Sequence, residues 1–76
     1  MKLNIGDIIE VIGWVMMKKL ESGEKYRVNK VYKYSGKDVY SFTKPKGKKE
    51  IVNHYVSDVD LWIGTENNNR IDIIRR

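Results

Sequence analysis

Apolar residues in this 76-residue chain mostly occur in short runs that alternate with polar residues, the period of a half-buried β-strand. Runs of this kind, bounded by turn-forming residues, predict five strands. The predicted strands are Asp7–Ile12, Lys25–Tyr34, Asp38–Thr43, Glu50–Val56 and Arg70–Ile74.

The first predicted strand is apolar on both faces. Ile9 and Val11 share one face, and Ile8 and Ile12 share the other. This pattern predicts a strand that is buried on both sides or lies at the seam of a barrel.

The second predicted strand breaks its own alternation. Tyr26 and Val28 face one way, yet Val31 is apolar where strict alternation from Val28 requires a polar residue. An extra residue near Asn29 or Lys30 restores the register, so we predict a β-bulge there.

Alternation also divides the aromatic residues between core and surface. Tyr40 and Phe42 share a face of the third strand and are predicted to be core, whereas Tyr32 and Tyr34 are predicted to be the exposed pair. In the last strand Ile71 is predicted to face inward with Ile73.

Turn-forming residues separate these strands. Tight turns are predicted at Ser35–Lys37 and at Lys44–Lys49, where Pro and Gly interrupt a cluster of lysines. Ser57–Asp60 is predicted to be a short 3₁₀-like turn in which Ser and Asp side chains cap local amides. Leu61–Ile63 then provides apolar cover, and residues 64–69 form a polar loop.

Residues 14–21 allow two interpretations. Trp14, Met17 and Leu20 have the spacing of one helical face, and Gly23 is a suitable residue to end a short helix. Val15–Met17 continues strand character instead, so we favour a long irregular loop with at most one helical turn.

The order of these elements predicts one all-β domain over residues 1–76. Five short strands are too few for a two-sheet sandwich and favour a small barrel. The layout resembles the SH3-like barrel superfamily in four features: Gly6-Asp7 before the first strand, the long first loop, Gly23–Val28 at the start of the second strand, and the 3₁₀-like turn before the last strand. An OB-like barrel is the alternative, but it needs a longer chain and a helix between the third and fourth strands.

Composition excludes several kinds of site. The chain has no cysteine and one histidine, which excludes disulfides, thiolate metal sites and sites of several histidines. It contains no apolar run of membrane-spanning length and no signal-peptide pattern, so we expect a cytoplasmic protein. Its richness in Lys, Ile and Asn is typical of an AT-rich bacterial or phage genome.

No catalytic constellation is evident. His54 lies on a predicted strand as a partly buried or surface residue, and no serine has the flanking residues of a nucleophile elbow. Asp58 and Asp60 lack the ligand spacing of a calcium loop. We therefore expect a binding protein rather than an enzyme, with no cofactor and no metal.

Positive charge is concentrated in the middle of the chain. The net charge is +5, and residues 27–49 hold eight basic residues against Asp38 alone. Interleaved lysines and aromatics suit nucleic acid, since lysines neutralise phosphates and aromatic rings stack on bases. The predicted nucleic-acid-binding residues are Arg27, Lys30, Tyr32, Lys33, Tyr34, Lys37, Lys44, Lys46, Lys48 and Lys49. Binding of this kind is largely indifferent to sequence.

The alternative is a protein-interaction module. An adaptor or inhibitor, encoded by a phage or mobile element, would dock on a larger host protein through residues 14–23. Methionines in that loop adapt to irregular surfaces. The predicted contacts are Trp14, Met16, Met17 and Leu20. Homodimer formation is compatible with so small a core, although no residue pattern specifies it.

Overall fold

The computed structural model describes residues 1–13, 20–63 and 70–74. Its elements are β1 (Ile8–Val11), β2 (Lys25–Tyr34), β3 (Lys37–Thr43), β4 (Val52–Tyr55), α1 (Val56–Leu61) and β5 (Ile71–Ile74). The strands form one antiparallel sheet in the order β4-β3-β2-β1-β5. For the described residues, the prediction of an all-β fold with five strands is confirmed, with one short helix added.

One face of the sheet carries the core. Tyr40 and Phe42 are fully buried there, with ring centroids 5.9 Å apart, as their alternation predicted. The rest of the core cluster comes from β1, β2, β5, α1 and the connecting segments. These residues are Leu3, Ile9, Val11, Leu20, Tyr26, Val28, Val56, Val59, Ile63 and Ile71. Ile73 packs against this cluster, as predicted.

β1 is shorter than predicted, and only one of its faces is buried. Ile9 and Val11 are fully buried, but Ile8 is half-buried and Ile12 is 44% exposed. Ile12 lies beyond the end of the strand, where its backbone N–H donates to the Arg70 carbonyl. Of the two alternatives predicted for this strand, burial on both sides was therefore wrong, and a position at the seam of a barrel stays a prediction.

The predicted bulge in β2 is confirmed. Val28 pairs with Phe42 and Lys30 pairs with Ser41, so Asn29 is the extra residue. The bulge keeps Val28 and Val31 on the core side, although they are three positions apart.

Tight turns join the central strands where the sequence predicted them. Ser35 and Gly36 both have positive φ, at 51° and 77°, the conformation of a two-residue hairpin turn that matches the twist of its strands. The turn after β3 begins at Lys44, whose carbonyl accepts a bond from the Gly47 N–H at 2.9 Å.

The predicted 3₁₀-like turn at Ser57–Asp60 is instead part of the short helix α1. Val56 and Val59 lie one turn apart and are both buried against the core, which favours the helix over a turn. No side chain caps the helix N-terminus, so the predicted local capping was wrong. The expected apolar cover is partial, because Ile63 is buried but Leu61 is 58% exposed.

Asp60 connects α1 to the start of the chain. Its Oδ1 accepts a hydrogen bond from the Tyr40 hydroxyl at 2.8 Å and one from the Lys2 N–H at 3.2 Å. The Tyr40 hydroxyl in turn accepts a bond from the buried Leu3 N–H at 3.2 Å. Burial raises the pKa of Tyr40 to about 12; the bond from Leu3 opposes this shift and the bond to Asp60 adds to it.

Candidate nucleic-acid interface

The face of the sheet opposite the core is called the outer face here. Directly opposed residues of antiparallel strands point to the same side, so the register assigns side chains to this face. On β2, β3 and β4 the outer face consists of the following residues: Arg27, Lys30, Tyr32 and Tyr34 of β2, Lys37, Val39, Ser41 and Thr43 of β3, and Asn53 and Tyr55 of β4.

β3 forms the floor of a groove on the outer face. Val39, Ser41 and Thr43 are 3%, 0% and 0% exposed, yet none belongs to the core cluster. They are small residues flanked by longer side chains on β2 and β4. We call this feature the β3 groove.

The register fixes the walls of the β3 groove. Tyr32 and Tyr55 flank Val39, and Lys30 and Asn53 flank Ser41. Because adjacent strands lie about 4.8 Å apart, the two walls begin about 10 Å from each other. At Val39 the groove therefore has aromatic groups on both sides of an apolar residue.

The predicted exposed tyrosines differ in accessibility. Tyr34 is 62% exposed, whereas Tyr32 is half-buried. Partial burial, with smaller effects of Glu50 and Tyr34, raises the pKa of Tyr32. Tyr34 thus presents the more accessible ring.

Two lysines lie against aromatic rings of the outer face. Lys30 Nζ is 5.4 Å from the Tyr32 ring centroid, and Lys37 Nζ is 5.3 Å from that of Tyr55. Among the described residues neither lysine has a carboxylate within ion-pair distance. Their charge is therefore available to an anionic ligand.

Lys33 and Lys44 are not brought to the outer face. Lys33 alternates with Tyr32 and Tyr34, so it points to the other side, where its Nζ lies 3.4 Å from Asp38 Oδ1. Lys44 Nζ lies 3.9 Å from Glu24 Oε2 and 5.2 Å from the Tyr26 ring centroid, also on the core side. Both lysines were predicted to share one surface with the other basic residues of the segment 27–49. The structure places them on the side of the sheet opposite Lys30 and Lys37.

The remaining predicted lysines lie on the loop between β3 and β4. Lys46, Lys48 and Lys49 are exposed, and none is paired with a described carboxylate. Arg27 Nη2 donates a 2.6 Å hydrogen bond to the Gly47 carbonyl and so holds this loop against the outer face. Arg27, predicted to bind phosphate, is thus a group that positions the loop.

A cleft separates the lysine loop from the outer face of β1 and β5. It has a volume of about 490 Å³ and is lined by Gly6, Asp7, Ile8, Lys25, Pro45, Lys46 and Ile74. Its two lysines extend the positive surface beyond the β3 groove. Lys25 was not among the predicted site residues, because it precedes the basic segment of the sequence.

Five groove residues were missed from the sequence: the floor residues Val39, Ser41 and Thr43 and the wall residues Asn53 and Tyr55. Val39, Asn53 and Tyr55 contribute through strand pairing across β3, which the sequence does not reveal. The available signal was the alternation of Asn53 and Tyr55 with Val52 and His54, which places the first two on one face.

His54 is partly buried on β4, as predicted, and its ring lies on the core side. It packs edge-on against Trp62 at 5.4 Å, with its Nδ1 3.7 Å from Asp58 Oδ2. Burial lowers the pKa of His54, and Asp58 partly opposes the shift. Its imidazole is therefore not among the outer-face side chains, although His54 borders the β3 groove through its place on β4.

The residues predicted for protein interaction are only partly described. Trp14, Met16 and Met17 lie outside the described residues. Leu20 is 4% exposed and belongs to the core cluster. Its side chain is therefore not accessible to a partner, in contrast to the expectation.

Within residues 1–13, 20–63 and 70–74, no three side chains of the metal-binding types are grouped closely enough to hold an ion. The same residues contain no helix with the length and apolarity needed to cross a membrane.

Comparisons with known proteins give no relative from which a function could be transferred. The chain matches no protein-family model, no curated protein and no solved structure.

Proposed function

We propose that this chain is a non-catalytic nucleic-acid-binding protein that contacts phosphates with the lysines of its outer face and of the loop between β3 and β4. The observation that carries the proposal is the alternation of Lys30 and Lys37 with tyrosine rings on one face, with no described carboxylate to neutralise them.

The loop lysines extend this surface. Lys46, Lys48 and Lys49 are exposed, and the bond from Arg27 to Gly47 keeps their loop beside the sheet. Lysine contacts to phosphate oxygens carry no sequence information, so binding through these groups is largely indifferent to sequence. It also weakens steeply with salt, because each phosphate contact releases a counterion.

We further propose that the sheet is that of an SH3-like barrel in a cytoplasmic protein. The order β4-β3-β2-β1-β5, with a short helix before β5, supports this assignment, as does the bulge that bends β2. An experimentally determined structure would test it: a flat sheet whose β4 and β5 edges lie far apart would contradict a barrel.

The experiment that tests binding is fluorescence anisotropy with labelled oligonucleotides, titrated at low and at near-physiological salt. We expect log affinity to fall linearly with log salt, with a slope that reflects the number of phosphates contacted. Absence of binding at low salt would contradict the proposed function.

Two double variants with equal charge change locate the surface. Lys30→Gln/Lys37→Gln removes two outer-face cations, and Lys33→Gln/Lys44→Gln removes two cations paired on the core side. We expect the first variant to weaken binding and reduce the salt slope by about 1.4–1.8, and the second to have little effect. Equal losses in both variants would show diffuse attraction and refute the outer face as the site.

A further inference from the structure

The β3 groove contains a pocket with no lysine, arginine or carboxylate in its lining, and Lys37 lies at its rim. Its volume is about 260 Å³, and it is lined by Tyr34, Val39, Asn53, His54 and Tyr55. The nearest cation seen against these rings is Lys37, which lies over Tyr55 at the rim. We propose, resting on the proposed function, that this pocket receives an unpaired nucleobase, so that the ligand is a single-stranded nucleic acid.

The walls of the pocket suit the flat face of a base. Tyr34 is 62% exposed, and no described cation lies over its ring. Val39 supplies an apolar floor that is already withdrawn from water. Every base has a π-face, so stacking on such a ring is tolerant of sequence.

Polar groups on the groove offer hydrogen bonds to a base edge. Ser41, the next floor residue after Val39 on this face, is 0% exposed, so its unpartnered Oγ is out of reach of a ligand. Asn53, beside Ser41 in the register, donates one amide N–H to Glu50 Oε2 at 3.3 Å. Its carbonyl oxygen and second N–H have no described partner. Asn53 is exposed and lines the pocket, so these amide groups can meet a base edge without any change in the sheet.

The charge around the pocket selects an anionic ligand. Lys30 and Lys37 already lie over the rings of Tyr32 and Tyr55, so a cationic peptide would meet like charge at both walls. A nucleic-acid strand instead lets these ammonium groups contact phosphates at the rim while bases replace them on the rings.

Only an unpaired base can use the pocket. In a duplex the base faces are stacked on one another, so a duplex would touch the lysine rim and leave the pocket empty. A single strand can place its phosphates along the rim and turn a base toward Tyr34 and Tyr55. The groove therefore predicts a preference for single strands over duplexes of equal length.

The test compares three short labelled probes at one fixed low salt concentration: a poly-dT strand, a duplex, and an abasic strand that carries the same phosphates but no bases. We expect the full chain to bind poly-dT about tenfold or more tightly than the abasic strand, the usual effect of one or more stacked bases. Tyr34→Ala should remove most of this advantage. Tyr34→Phe, which keeps the ring, should retain it, and both variants should fold because Tyr34 is exposed.

The outcomes separate this inference from the proposed function. If no probe binds, the proposed function fails. If all three probes bind equally, or if Tyr34→Ala leaves the poly-dT advantage intact, the pocket assignment is overturned while phosphate binding stands. If Lys37→Gln weakens binding of poly-dT and the abasic strand alike while Tyr34→Ala affects poly-dT alone, rim and pocket have the roles assigned to them.

Discussion

The connection between Tyr40, Asp60 and the start of the chain predicts a large loss of stability in Tyr40→Phe. This substitution removes one oxygen atom and leaves the aromatic packing on Phe42 in place. The oxygen donates to Asp60 at 2.8 Å and accepts from the Leu3 N–H at 3.2 Å, and the second bond is buried.

The magnitude follows from the two bonds. A hydrogen bond to a charged group contributes about 1.5–3 kcal/mol, and a buried donor left without an acceptor costs about 1–3 kcal/mol. Partial relaxation of Leu3 reduces the sum, so we expect a loss of about 3 kcal/mol. A domain of this length has a free energy of unfolding of about 4–11 kcal/mol. The single oxygen therefore accounts for a quarter or more of the total.

Urea unfolding followed by circular dichroism measures this loss directly. Tyr34→Phe is the matched control, since it deletes the same atom from an exposed residue and should change the free energy of unfolding by less than about 0.5 kcal/mol. If Tyr40→Phe is no more destabilising than Tyr34→Phe, the hydroxyl does not tie the helix to the N-terminal segment and the reasoning is refuted.

Two further predictions concern pH and backbone conformation. Burial lowers the pKa of His54, so the folded state favours the neutral imidazole. The stability that the folded state gains from this preference is fully present above about pH 6.5, and it is lost as the pH falls through the lowered pKa. Relative to His54→Gln, the native chain should therefore lose stability as the pH falls below about 6.5 in urea titrations, and a constant difference between the two proteins would contradict the sign. Gly36→Ala should lower the free energy of unfolding by about 1–2 kcal/mol, because φ is 77° there and the added Cβ meets no atom within 4 Å, which leaves backbone strain as the cause. Gly47→Ala, at ordinary φ, should be nearly neutral in the same thermal or urea assay, and equal effects of the two changes would argue against the hairpin geometry.

Features set by local pattern could be predicted from the sequence. Val31 interrupts the alternation that Val28 begins, and only an extra residue lets both reach the core, so the bulge at Asn29 followed from the sequence. The burial of Tyr40 and Phe42 followed from the same period.

Features set by tertiary pairing could not be predicted. Ser, Asp and Val between β4 and β5 suit a turn as well as a helix, and burial of Val56 and Val59 against the sheet decides for the helix. Likewise, the register of β4 against β3 brings Tyr55 beside Val39, although a long loop separates the strands in sequence.

The candidate site also combines features that the sequence reveals with features that only the folded sheet determines. The concentration of lysines in residues 27–49 is visible in the sequence, but the side of the sheet that each lysine occupies is not. Lys33 and Lys37 lie close together in the sequence, on either side of one tight turn. Lys33 nevertheless pairs with Asp38 on the core side, whereas Lys37 lies over Tyr55 on the outer face.

The separation of the core and outer faces makes the outer face open to variation. On β2, β3 and β4, the residues that fill the core are different from those that line the groove. A randomised library at Lys30, Tyr32, Tyr34, Asn53 and Tyr55 would therefore alter ligand choice while it left Tyr40 and Phe42 in their packing. The surface proposed to bind nucleic acid can thus vary on one side of the sheet while the core on the other side stays constant.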